Sequence, residues 1–425
     1  MMTQRREFLK SIAGWTAGAL VPARLGVGGG AALLESGAPL GAWVPGTLEI
    51  HHLDTGRGNA TLILGPDGTS FLIDAGEAHS AQKLMSPARP DASHRAGEWI
   101  ARYVRRDLAR VSQDSLNVLL ITHLHGDHVG QVVDTSPQSA RGNYRLTGAS
   151  DVADVIRIDE LIDRGWPEYD YPAYPVDPSA LNYIALARDL ARHGTRVQRA
   201  RAGSMAQLRL RRNPTAFPEY NARILAVNGE VWTGSGESAT KRFPSLTNLS
   251  PEALPSENMC CAAVRLQYGN FAYYTGGDLT CDTNYGRFPW HDIETPVAKA
   301  AGRVSVAVAN HHGYFDACGP AAIRLLRPQV WVLPTWHASH PATSVLAALV
   351  REELYAGKRS VFATGMAQAA LAVNDRFANS LANIEGHVVV RVAPGGRSFR
   401  VDVVNAADES DTVVAAFGPY SPQGD

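Results

Sequence analysis

The sequence predicts an α/β fold built around one buried strand that ends in a polar cluster, and three stretches predict it. Val118-Leu119-Leu120-Ile121 reads as a buried strand and runs straight into Thr122-His123-Leu124-His125-Gly126-Asp127-His128. Leu48 to Gly76 reads as three strands joined by turns, the last turn being Gly65-Pro66-Asp67-Gly68. Ala96 to Ala109 is amphipathic, with Trp99, Ile100, Tyr103, Val104 and Leu108 at helical spacing, and it stands where a crossover helix before the buried strand belongs.

The polar cluster has ligand chemistry. His123 and His125 are two residues apart, so an extended backbone puts both imidazoles on one face, where they can meet one metal ion. Beyond Gly126, which permits a tight turn, Asp127 and His128 are aimed at a second, adjacent ion. His-x-His-x-Asp-His after an apolar strand resembles the signature of the metallo-β-lactamase fold superfamily. The resemblance implies a four-layer αββα sandwich whose ligands come from strand ends and loops along one edge.

At the start of the chain, Thr3-Gln4-Arg5-Arg6-Glu7-Phe8-Leu9-Lys10 resembles a twin-arginine export signal, with Gln4 as its one departure. Ser11 to Ala23 is apolar but shorter than the roughly 20 residues a membrane-spanning helix needs. Residues 1–34 are therefore expected to be a signal peptide and linker, cleaved after Ala23 or within Ala31-Ala32. This implies the twin-arginine export machinery as a partner and a periplasmic or secreted location. The chain of 425 residues is 45% hydrophobic and 19% charged, enough to bury a sizeable core without cross-links. A formal net charge of −1 excludes the uniform basic field of a protein that coats nucleic acid, while a local basic groove is allowed. The four cysteines predict no disulfide framework, and Cys260 and Cys261, read as strand neighbours, would face opposite ways. No later segment is apolar enough to span a membrane, and no internal repeat is present.

The main domain is expected over 46–404, with an insertion on top of the sandwich at about 134–250 and a loose polar tail over 405–425. Leu53-Asp54-Thr55-Gly56-Arg57-Gly58-Asn59-Ala60, followed by Leu72-Ile73-Asp74-Ala75-Gly76, more narrowly resembles the soluble hydrolase domain of the ComEC family of competence DNA-uptake proteins. Asp74, at a strand end, either orients a ligating histidine by accepting its free N–H or caps its own turn. In the interval, Gly165 to Pro175 packs four aromatics and three prolines into a stretch that cannot be regular helix. Trp166, Tyr169 and Tyr171 there are candidates to stack a nucleobase or cage a quaternary ammonium, the plainer reading being that they cover apolar surface. His193 ends a helix from Ile184 that Gly194 caps, and reads as structural. It is the only histidine between His128 and His291, so the first ion is expected to be short of a ligand that many superfamily members draw from this interval.

Ala262 to Tyr268 and Phe271 to Asp278 read as a hairpin, and the resemblance makes Asp278 the aspartate that bridges both ions. The preceding Glu257-Asn258 also matches the uptake-protein branch. Ser305 to Asn310 is a buried strand that delivers His311-His312; adjacent side chains on an extended segment diverge, so one of them ligates. His312 is favoured, leaving His311 to position or protonate substrate. Val330 to Pro334 is a further core strand, followed by Trp336, His337 and His340-Pro341, with His340 a candidate general acid. Val361 to Val404 reads as edge strands.

The expected ligands are thus His123, His125, Asp127, His128, Asp278 and His312, around two divalent metal ions, with Asp127, His311 and His340 as the catalytic set. Nitrogen and carboxylate donors without thiolate favour zinc and admit manganese or iron. The resemblance implies metal-assisted hydrolysis, with the ions generating hydroxide near neutral pH. Relatives in this branch cleave phosphodiesters, including single-stranded DNA and phosphorylcholine esters. The expectation is an exported phosphodiesterase or nuclease acting on a small phosphodiester or single-stranded nucleic acid. Ester, lactone or lactam hydrolysis is the enzymatic alternative, and a catalytically silent metal-containing binding protein is the other.

Overall fold

The computed structural model of the protein describes residues 36–247 and 249–422, and the export-signal segment lies outside them. The chain lays down β1 (Leu48–His52), β2 (Thr61–Leu64), β3 (Ser70–Ile73), β4 (Val118–Leu120), β5 (Glu160–Asp163) and β6 (Arg196–Arg199) in a first sheet. It then crosses to a second sheet with β7 (Tyr220–Val227), β8 (Glu230–Trp232), β9 (Ala239–Lys241), β10 (Ala263–Tyr268), β11 (Phe271–Thr275), β12 (Val306–Val308), β13 (Val330–Leu333) and β14 (Ser360–Ala363). Finally it returns to the first with β15 (His387–Val392), β16 (Phe399–Val404) and β17 (Val413–Tyr420). The nine-stranded sheet runs β17-β16-β15-β1-β2-β3-β4-β5-β6 and the eight-stranded sheet β9-β8-β7-β10-β11-β12-β13-β14. Each changes from antiparallel to parallel pairing part-way across, at β3–β4 and at β11–β12.

The sheets face each other across one core, where Ile50, Phe71, Leu120 and Ile162 meet Ile224, Val264, Val306 and Val332. On the outer face of the first sheet lie α1 (Ala96–Arg110), α3 (Ala149–Val155) and α4 (Pro178–Arg192), the short α2 (Gly126–Val129) being the turn that carries Asp127 and His128. Ile100, Val104, Val152 and Ile184 seal that layer. α5 (Glu294–Ala301), α6 (Pro320–Leu326) and α7 (Thr343–Val350) cover the second sheet through Val297, Ile323 and Leu346. Strands buried on both faces read as unbroken apolar runs, which is why Val118-Leu119-Leu120 and Val330-Trp331-Val332-Leu333 show no alternation. The architecture is the four-layer αββα sandwich.

Three expectations are corrected. The interval 134–250 is no insertion on top of the sandwich: it contributes β5 and β6 to one sheet and β7 to β9 to the other. Residues 405–422, expected within a loose polar tail over 405–425, are held in place, because β17 pairs antiparallel with β16 and residues 37–40 bond to it in turn. Val413 and Ala416 pack there with Val389 and Val404, so an apolar contact that a composition count cannot see holds the segment down. Cys260 and Cys261 lie in a tight turn ahead of β10 rather than on a strand, both buried as free thiols. Among the described residues no helix is long and apolar enough to cross a membrane.

Candidate metal centre

Parallel strands end at the same edge of the sandwich, and that edge collects the polar residues. β3 runs into Asp74, β4 into His123 and His125, β11 into Asp278, and β12 into His311 and His312. Two donor groups result. Asp127, His128, Asp278 and His312 each bring one ligand atom within 4.8 Å of the others, and so do His123, His125 and Asp278. Asp278 belongs to both: Oδ1 is 3.2 Å from His128 Nε2, and Oδ2 is 3.6 Å from both His123 Nε2 and His312 Nε2. His123 Nε2 stands 3.2 Å from His125 Nδ1, and His312 Nε2 3.0 Å from Asp127 Oδ2.

The donor set fits dications. His128 Nδ1 donates to Asp74 Oδ2 at 2.7 Å, which turns Nε2 toward Asp278 Oδ1 and Asp127 Oδ2. Nε2 is buried and makes no hydrogen bond there, although Asp278 Oδ1 is close enough for an ion pair. Charge tells the same story. Burial would depress His128, but Asp278, Asp74 and Asp127 crowd it and hold it well above the usual imidazole range. Burial and then His128 keep His123 well below that range. Burial would raise Asp127 and Asp278, yet the imidazoles, His128 foremost, hold both well below the usual carboxylate range.

Several residues aim these donors. Asp74, in the left-handed region at φ +61°, also accepts from the Thr122 N–H at 2.7 Å, the Thr122 hydroxyl at 2.8 Å and the Asn59 amide at 3.1 Å. Gly76 lets the chain pass so close to Asp127 that a Cβ would lie 1.7 Å from its carbonyl oxygen. His312 Nδ1 donates to the Pro334 carbonyl at 2.9 Å, freeing Nε2 to face the carboxylates. The His311-His312 segment is not extended as expected. Both residues sit in the left-handed region, at φ +47° and +55°, inside a tight turn, and only His312 joins a donor group. His311 is held apart by Asp316, whose Oδ1 is 2.6 Å from its Nδ1, while Nε2 lies 3.8 Å from Asp278 Oδ2. Burial lowers His311, but the Asp316 hydrogen bond and the charge of Asp278 raise it further, so it stands above its ordinary value.

A pocket opens over this edge, lined by Asp127, His311, His312, Tyr314, Trp336, Ser339 and His340. His340 packs tilted against His312 and edge-on against Trp336, with ring centroids 4.9 and 5.1 Å away. Burial and then His312 push His340 well below the imidazole range. The aromatic loop corrects another expectation. Tyr169 is fully buried and donates its hydroxyl to Asp163 Oδ2 at 2.5 Å, Trp166 packs on the helix-covered face of the first sheet, and Tyr171 packs against the second. None of the three lines the pocket; its aromatic walls are Trp336 and Tyr314. His193 is structural as expected, but α4 starts at Pro178 rather than Ile184 and His193 itself, not Gly194, is the cap, its Nδ1 donating to the Asp189 carbonyl at 2.9 Å.

Sequence reasoning missed Arg164, Asp316 and the thiol of Cys261. Arg164 is only 1% exposed and forks onto Glu257, whose Oε1 accepts the Leu124 N–H at 2.8 Å between His123 and His125. Its one signal was a charged pair, Asp163-Arg164, at the end of a buried strand. Cys261 Sγ accepts the Asp278 N–H at 3.2 Å. A third acid–imidazole group, Glu49, His51 and Asp107, is neutralised by Arg110 and Arg391 and leaves no charge for a cation to balance.

An αββα sandwich whose strand ends carry two nitrogen–carboxylate groups sharing one aspartate is the scaffold of a metal-dependent hydrolase. The sequence comparison agrees at the family level: residues 53–134 match the model of the metallo-beta-lactamase superfamily. That span runs from the end of β1 through His123, His125, Asp127 and His128. No curated protein matches the chain in sequence.

Proposed function

We propose that this protein is an exported phosphodiesterase, acting on a small phosphodiester or a single-stranded nucleic acid with two divalent ions, zinc favoured. The observation that carries this reading is the placement of His311. Fixed by Asp316, its Nε2 faces the aspartate that the two donor groups share, at the wall of an open pocket. A proton handled at that nitrogen would serve the departing alkoxide of a phosphodiester. His123, His125 and Asp278 would hold one ion, and Asp127, His128, Asp278 and His312 the other. When bound, such a pair polarises the ester under attack and supplies hydroxide near neutral pH.

The remaining roles belong to the chain. His311 keeps the role of positioning or protonating substrate, with His340 beside it as the other candidate acid. Trp336 and Tyr314 enclose the leaving group and keep water from its side. The test is hydrolysis of bis(p-nitrophenyl) phosphate beside a lactone, a lactam and a dinucleotide. Nitrophenolate leaves without a proton, so His311→Gln is expected to cost little on that ester and on the order of 10²–10⁴-fold on the dinucleotide. Equal losses would remove the acid role. Turnover confined to the lactone or lactam would replace the phosphodiester reading, and bound metal without any turnover would leave a binding protein.

A further inference from the structure

Two carboxylates, one at the end of β3 and one in the turn ahead of β10, stand in for strand neighbours where the metal motif runs out of its sheet. Along β4 the backbone pairs with β3 and β5, and the last such bond runs from the Ile121 N–H to the Ile162 carbonyl at 2.9 Å. Beyond it β3 turns away at Asp74 and β5 ends at Asp163, so residues 122–125 outrun both neighbours. The Thr122 N–H donates instead to Asp74 Oδ1 at 2.7 Å, and the Leu124 N–H to Glu257 Oε1 at 2.8 Å. Between them the Thr122 carbonyl accepts the Ala262 N–H at 2.9 Å. Bonds to alternate residues are what hold a strand straight, and His125 is extended at φ −74° and ψ 152°. Extension puts His123 and His125 on one face, with Nε2 of the first 3.2 Å from Nδ1 of the second.

Glu257 has both oxygens engaged. Oε1 takes the Arg164 Nε–H at 2.6 Å as well as the Leu124 N–H, and Oε2 takes Arg164 Nη2. Arg164 turns Nη1 to the Tyr171 carbonyl at 2.7 Å, and its own carbonyl accepts the Asn228 amide at 2.7 Å. A buried ion pair is a costly way to join two layers, since apolar side chains of similar size often do as well. A guanidinium fork, however, fixes the plane of a carboxylate, and here that plane delivers one oxygen to the single amide between two expected ligands. We infer that Glu257, held by Arg164, is a positioning residue for the first ion, keeping residues 122–125 extended so that His123 and His125 reach one cation. The inference rests on the two-ion reading above, though not on the bond that is cleaved.

The test measures metal rather than turnover. Wild type, Glu257→Ala, Glu257→Gln and Arg164→Lys are compared for zinc retained per chain after dialysis against a graded chelator, for the visible spectrum of the cobalt-substituted chain, and for urea stability without metal. Glu257→Ala is expected to weaken one ion on the order of 10–100-fold, shift part of the cobalt spectrum and leave the other ion unchanged. Glu257→Gln keeps an oxygen for the Leu124 amide and is expected to recover the wild-type spectrum. Arg164→Lys keeps the buried charge but loses the fork, so it should shift the same part of the spectrum, and it carries the test if the alanine variant does not fold. Lower urea stability with both ions and the spectrum as in wild type would reduce the pair to a link between layers and overturn the assignment. Equal weakening of both ions would overturn it too. Two ions in the wild type without phosphodiester hydrolysis, with the variants behaving as expected, would remove the proposed function and leave this assignment standing.

Discussion

The two donor groups share an aspartate but differ in how they are built. In the group of Asp127, His128 and His312, both imidazoles are almost fully buried, and each has its far nitrogen tied down, to Asp74 and to the Pro334 carbonyl. In the group of His123 and His125, His123 is buried but its Nδ1 has only the Thr122 hydroxyl at 3.2 Å, and His125 is exposed. Second contacts that fix ring and tautomer raise metal affinity, so the group of Asp127, His128 and His312 would hold an ion more firmly than the group of His123 and His125.

The comparison can be broken most severely at Asp278. Asp278→Ala removes a ligand from both groups, and turnover is expected to fall on the order of 10³-fold or more, with loss of bound metal seen by elemental analysis. If one ion is retained at wild-type affinity, the bridge is not shared as described. Asp74→Asn sharpens the contrast. The amide accepts more weakly from His128 Nδ1, so affinity at the buried group should drop on the order of 10–100-fold in calorimetric titration, and the exposed group should be untouched. Loss at both groups would mean that the two are coupled through Thr122.

The smallest effect concerns Glu294, which anchors the turn bearing His311 and His312 by accepting from the Asn310 amide at 2.9 Å. Burial lifts its carboxyl from 4.5 to about 7, against the hydrogen bonds from Gly319, Asn310 and Cys318. A raised folded-state value means its contribution to stability is full below pH 4.5 and is lost as pH climbs through about 7. At most about 3.5 kcal/mol is involved, at roughly 1.4 kcal/mol per pH unit. Glu294→Gln cannot titrate, so the metal-free variant should show a flatter dependence of urea stability on pH between 4.5 and 7 than wild type. Parallel curves would show that Glu294 keeps its charge in the folded chain.

Much of this was legible in the sequence because the information is local. The strand that runs into His123, the meander to Asp74, helix α1 and the hairpin ending at Asp278 each declare themselves within about a dozen residues, through periodicity and turn residues. What was not legible depends on partners far away. β6 reads Arg196-Val197-Gln198-Arg199, which is strand only because β5 lies beside it. Arg164 and Glu257 are 93 positions apart, so no window links either to the Leu124 amide. The aromatic loop looked like a binding surface because its composition is visible, whereas the Asp163 carboxylate that draws Tyr169 inward acts through the fold. The left-handed turn at His311 and His312 is held by Glu294 and Asp316 from outside it and contradicts what two histidines would adopt alone.

The last strand has a consequence for anyone who trims this chain. β17 covers the outer edge of β16, whose Val401, Val403 and Val404 are buried beneath it. A version stopped at residue 404 would still contain every donor named above. It would also bare a row of unpaired backbone groups beside apolar side chains, a template for other copies to add to. Such a shortened chain should clump before its chemistry could be measured, and insolubility in it would say nothing about the metal edge.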